Sequence, residues 1–150
     1  LVNVVFAGED RGNNAMSIMA YADSVGVGGQ VSCPGFLSRA ELGSLLDNSD
    51  LFVLPTKAEG LPRVIIEAMA KGLPVVTTPA SGNPELIGEE YLVDYNDVEG
   101  IAQKIAALVT SQEVYEYASQ CNYNRSLEYA PDILQRRRDV FYSELLKLCN

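Results

Sequence analysis

Leu51-Phe-Val-Leu-Pro-Thr-Lys-Ala-Glu-Gly-Leu-Pro-Arg-Val-Ile-Ile-Glu-Ala-Met-Ala-Lys-Gly-Leu-Pro-Val-Val-Thr-Thr78 is the stretch that decides the fold. Leu51 to Leu54 is a short apolar run suited to a buried strand. It feeds a proline-containing loop. Pro62 stands where a first helical turn begins and Gly72 where that turn sequence stops, which predicts a helix over Pro62 to Lys71. Pro74 to Thr78 then reads as the next strand. This reading puts Glu59 on the loop and Glu67 on the helix. A loop at the carboxyl end of a parallel strand, running into a helix N-terminus, presents free amides and a partial positive charge, a setting that favours phosphate. Carboxylates beside it can accept hydrogen bonds from sugar hydroxyls.

Moving outward, the same alternation recurs. Leu1 to Ala7 reads as a strand, Asp10 to Asn14 as a turn, and Ala15 to Val25 as a helix stopped by Gly26. Gln30 to Cys33 is a second strand, and Ser38-Arg-Ala-Glu41 is a capping box that opens a helix to about Asp47. After Thr78, Ser81 to Glu85 reads as a loop with one helical turn, and Tyr91 to Val93 as a short fifth strand. Asp97 can cap a helix to about Thr110. Short apolar strands separated by helices predict an α/β fold with a Rossmann-like, doubly wound parallel sheet. Beyond Gln112 the pattern is helical only: Glu113 to Cys121, a break near Asn122 to Asn124, and Pro131 to Leu148. These helices are expected to fold back across the domain.

Composition narrows the functional classes. A chain of 150 residues fits one domain with a packed core, and 47% hydrophobic with 21% charged residues is ordinary for a globular protein. Eleven basic against twenty acidic residues give a net charge of −9, which argues against nucleic-acid binding. The basic run Arg136-Arg137-Arg138 reads as a solvated helix face or a contact with a further domain. No apolar run approaches the ~20 residues of a membrane span and no charged leader precedes one, so a soluble chain in a reducing cytoplasm is expected. Cys33, Cys121 and Cys149 are odd in number and widely spaced, and histidine is absent, so neither a disulfide framework nor a zinc site is expected. Asp-x-Asp motifs are missing too, and no catalytic metal is expected.

The Glu59 to Glu67 segment resembles the Glu-x7-Glu signature of retaining GT-B glycosyltransferases, the nucleotide-sugar-dependent group 1 or family 4 enzymes. The similarity extends to Val31-Ser-Cys-Pro-Gly-Phe36, to Ser38–Pro55, and to Gly72 through Ile87, where Ser81 replaces the first glycine of a Gly-Gly-x-Pro-Glu turn. It implies the C-terminal, donor-binding half of a GT-B fold, with C-terminal helices after the sheet. The resemblance assigns Glu59 a catalytic position near the transferred sugar and Glu67 the nucleotide ribose. It also places Gly60, Leu61, Pro62 and Arg63 along the sugar and diphosphate, and Pro34 and Gly35 beneath the base. Asn83-Pro-Glu85 is expected to shape its loop. The implied donor is a UDP-, GDP- or ADP-sugar, with no other cofactor. The family's Gly-Arg…Lys-Gly loop and its acceptor-binding N-terminal domain are not in this sequence. The resemblance therefore implies a fragment that is inactive alone, whose full-length enzyme transfers to a sugar or lipid-linked acceptor and can touch the inner face of the membrane peripherally.

Three rival readings follow from the same residues. As a glycosidase dyad, the glutamates would need to lie about 5 Å apart, whereas a largely helical eight-residue step puts them on the order of 10 Å apart. A fragment of a GT-B-type epimerase or phosphorylase would also bind here, although no lysine has the glycine-rich surroundings of a phosphorylase cofactor. A non-catalytic α/β interaction module resembling a flavodoxin-like receiver lacks a lysine after the fifth strand to match Glu9 and Asp10.

Overall fold

In the computed structural model, which describes residues 2–10, 12 and 14–148, the chain divides into two compact units, Leu1–Asp47 and Asn48–Asn150. Leu1, Arg11 and Asn13, parts of the expected first strand and turn, and Cys149 lie outside the described residues.

In the first unit, β1 (Val4–Ala7) pairs in parallel with β2 (Val31–Gly35), with a register shift between Val5 and Ala7. The shift accompanies Pro34, which has no N–H for a regular ladder. Helix α1 (Asn14–Ser24) is held at its start by Asp10, whose carboxylate accepts from the Asn14 and Ala15 amides at 2.8 and 3.2 Å. Ala22 of α1 is buried. Helix α2 (Arg39–Asp47) opens on the expected capping box: the Ser38 amide donates to Glu41 Oε2 at 2.8 Å and the Glu41 amide to Ser38 Oγ at 3.3 Å. Strand β1 corrects the expectation of a buried strand. Val4, Val5 and Phe6 are exposed, because α1 packs mainly on β2 and leaves the faces of β1 less covered.

In the second unit, β3 (Phe52–Leu54) and β4 (Val75–Thr77) form a parallel pair in register Phe52 with Val75 through Leu54 with Thr77. Helix α3 (Arg63–Ala70) crosses between them and buries Ile65, Ala68 and Met69. Those positions form one helical stripe, which is why the helix packs on the strands. Gly72, at φ +73°, ends it in a Schellman arrangement: the Gly72 amide donates to Met69 O at 2.9 Å and the Leu73 amide to Ala68 O at 3.1 Å. All of β4 is buried. The expected fifth strand is reduced to a single parallel bridge between Thr77 and Leu92, since residues Glu89–Tyr91 turn as a 3-10 helix just before it. The short helix α4 (Asn83–Leu86) follows β4.

Helix α5 (Val98–Thr110) is capped as expected by Asp97, which accepts from the Gly100 amide at 2.8 Å. Helix α6 (Gln112–Ser126) lies against α3 and runs through the expected break at 122–124. Asn122, read as a helix breaker, is instead buried on the packed face and donates from Nδ2 to Leu73 O at 2.9 Å. A tertiary partner outweighs its local preference for a turn. In helix α7 (Pro131–Leu148) no described residue is buried, and Phe141 and Leu145 are exposed. The fold is α/β with parallel strands and many helices.

Candidate functional site

The residues between β3 and α3 form a loop, 55–62, fixed at its start and along its length by the end of β4 and the segment that follows. Thr77 Oγ1 donates to Leu54 O at 2.8 Å, and Thr78 Oγ1 donates to Thr56 O at 2.6 Å. Thr56 Oγ1 in turn donates to Ala58 O at 3.1 Å. At the far end of the loop the Gly82 amide donates to Gly60 O at 3.0 Å. Lys57 adds a cation–π contact, its Nζ 4.5 Å from the centroid of Tyr95. Glu59 thus sits between two anchored carbonyls.

Asn83 organises these anchors. It is fully buried, and its Nδ2 donates to Thr77 Oγ1 at 2.9 Å and to Thr78 O at 3.1 Å. Its Oδ1, also buried, has no hydrogen-bond partner among the described residues. Just ahead of it, Ser81 has a left-handed backbone with φ +42°. Gly82 is needed for contact: a Cβ there would fall on the Gly60 carbonyl oxygen, with Leu61 Cδ1 3.2 Å away. The reading of Asn83 to Glu85 as a loop-shaping turn thereby acquires its hydrogen bonds.

Pro62 is the N-cap residue, with extended ψ of 109°, so Arg63 rather than Pro62 is the first helical residue. Proline offers no side-chain acceptor, and the first-turn amides of α3 are left without a side-chain cap. Glu59 and Glu67 are both half-buried, Gly60, Leu61 and Arg63 are exposed, and Pro62 is buried. The structure therefore brings six of the expected residues onto one loop and the helix it enters. Pro34 and Gly35 belong to the other unit, at the end of β2, where Gly35 has φ +77° and its carbonyl accepts from the Gly8 amide at 2.9 Å. Sequence reasoning passed over Thr77, Thr78 and Lys57. The available signal was a pair of threonines ending a buried strand, whose hydroxyls must find acceptors.

Among the described residues no cluster of three or more His, Cys, Asp or Glu side chains is gathered for a metal ion. No described helix is long and apolar enough to cross a membrane.

A parallel-stranded α/β fold with an anchored strand-to-helix loop is the class of domain that handles nucleotides at strand carboxyl ends. The chain belongs to the family described as glycosyl transferases group 1, whose profile matches residues 2–125. It is 41% identical over 85 residues to the amylovoran biosynthesis glycosyltransferase AmsK of Erwinia amylovora, a match covering 53% of this chain and 21% of AmsK. Among solved structures, it resembles the C-terminal domain of the group 1 family protein LpcC from Francisella tularensis, with 25% identity and a TM-score of 0.74 over 82% of this chain and 67% of that one. It also resembles Anabaena HepE, solved in complex with UDP and glucose, with 20% identity and a TM-score of 0.79 over 97% of this chain and 40% of HepE. The fold is that of GT-B glycosyltransferase C-terminal domains. The chain spans about a fifth of the length of AmsK.

Proposed function

We propose that this chain is a single nucleotide-sugar-binding domain, the donor half of a retaining, family 4 glycosyltransferase. The observation that carries the proposal is loop 55–62, pinned at the carboxyl end of β3 and entering an uncapped helix between two half-buried glutamates. The first-turn amides of α3, with the amides of Gly60 and Leu61, would hold the donor diphosphate. Arg63 at the first helical position would add a positive charge. Glu67 would accept hydrogen bonds from the ribose hydroxyls and Glu59 would orient the transferred sugar, the catalytic position in this reading.

In this reading the leaving diphosphate is the group whose developing charge needs most stabilisation, and preorganised amides supply it without reorganising. No metal or further cofactor is needed. UDP is the first donor nucleotide to try, since HepE was solved with it, with GDP and ADP as the other candidates. The rest of the polypeptide would supply an N-terminal domain that binds a sugar or lipid-linked acceptor, working in the cytoplasm and at the inner membrane face. These 150 residues alone would bind donor weakly and transfer nothing.

The test is a calorimetric titration of the purified chain with UDP, GDP, ADP and their glucose conjugates, run beside Glu67→Ala. Saturable binding of one nucleotide is expected, weakened by about 1–3 kcal/mol in the variant, the range for hydrogen bonds to a charged group. Equal affinity in both proteins would remove Glu67 from the site. Absence of binding to any of the six would overturn the donor reading.

A further inference from the structure

We infer that Thr78, with Thr77 and Asn83, is a positioning group for the sugar end of the donor site; the inference rests on the donor-binding reading above. These three side chains lie at the end of β4 and just after it, and belong to neither the loop nor the helix proposed to contact ligand. They nonetheless set where the loop runs. Thr78 fixes the Thr56 carbonyl, Thr77 fixes the Leu54 carbonyl, and Asn83 fixes both threonines through its two amide hydrogens. Thr56 passes the constraint to Ala58, one residue before Glu59.

Two features of the same turn are unfavourable for folding, and they separate this clamp from ordinary packing. Asn83 Oδ1 is buried without a partner, and Ser81 occupies a backbone region that non-glycine residues avoid. Local strain of this kind gathers where geometry is held for function. The clamp acts on the loop alone. Glu67 stands more than a turn into α3, which is held independently by burial of Ile65, Ala68 and Met69. Loosening the clamp should therefore impair what Glu59 and Gly60 do and spare what Glu67 does.

Thr78→Val keeps the shape of the side chain and deletes the donor; Thr78→Ser keeps the donor. In Thr78→Val, hydrogen exchange of the Thr56 and Gly82 amides, which donate to Leu54 O and Gly60 O, should rise about three- to tenfold relative to wild type, with amides of α5 unchanged. In the titration, UDP-glucose affinity should fall more than UDP affinity, because UDP keeps Glu67 and the α3 amides while the glucose loses Glu59 as well, so that the ratio of the two affinities changes by about three- to tenfold. Thr78→Ser should restore both. A purely structural role would lower both affinities by the same factor, and that result, or exchange of the Thr56 and Gly82 amides within twofold of wild type, would overturn the inference. If wild-type chain binds no nucleotide, the donor reading fails on its own, and the exchange measurement still decides whether Thr78 holds the loop.

Discussion

The hydroxyl of Thr78 donates to the carbonyl of Thr56 at 2.6 Å, joining residues 22 positions apart. It ties the end of one buried strand to the loop that leaves its neighbour. Because β3 and β4 are parallel, both carboxyl ends point the same way and their loops emerge side by side. The hydrogen bond converts that adjacency into a fixed loop shape, which is what a site for a polar ligand requires.

The contact between Gly82 and Gly60 is a steric requirement on one side only. Gly82→Ala would place a methyl group on the Gly60 carbonyl and should destabilise the chain by about 1–3 kcal/mol, the cost of overpacking. Gly60→Ala meets nothing within 4 Å and should leave stability nearly unchanged while weakening donor binding. Urea unfolding of the two variants, with titration of the second, checks both; equal destabilisation would count against the geometry.

Ser81 carries a removable cost. At φ +42° a side chain is disfavoured by roughly 1–2 kcal/mol, partly offset on substitution by the extra freedom of glycine in the unfolded chain. Ser81→Gly should thus stabilise by about 0.5–1 kcal/mol, and Ser81→Val should do the reverse. The midpoint of urea unfolding should move in opposite directions for the two.

Glu41 makes part of the first unit's stability depend on pH. The Ser38 side chain and then its backbone amide hydrogen-bond the carboxylate and hold its pKa below the ordinary 4.5. A depressed folded pKa means that the stabilisation is complete above the unfolded value and is lost as pH falls through the folded one. Wild type should exceed Glu41→Gln in stability at neutral pH, and the difference should vanish below the carboxylate range. A gap that persists in acid would show that the charge is not the source.

Local chemistry was enough to read much of this molecule. The α/β class, the capping box at Ser38, the N-cap at Asp97, the end of α3 at Gly72 and the placement of Glu59 and Glu67 all follow from side chains acting within a few residues of themselves. Such effects are written in the sequence because the chain between the partners is too short to allow alternatives. The tertiary structure decided the rest. Asn122 continues a helix because Leu73, 49 residues away, offers it a carbonyl. Val4 to Phe6, apolar enough for a core, stay exposed because α1 packs mainly on the neighbouring strand β2 and leaves their faces less covered. The clamp of Thr77, Thr78 and Asn83 was illegible for the same reason: its acceptors lie on a different strand and loop, and only the parallel pairing of β3 with β4 brings donor and acceptor within hydrogen-bond distance.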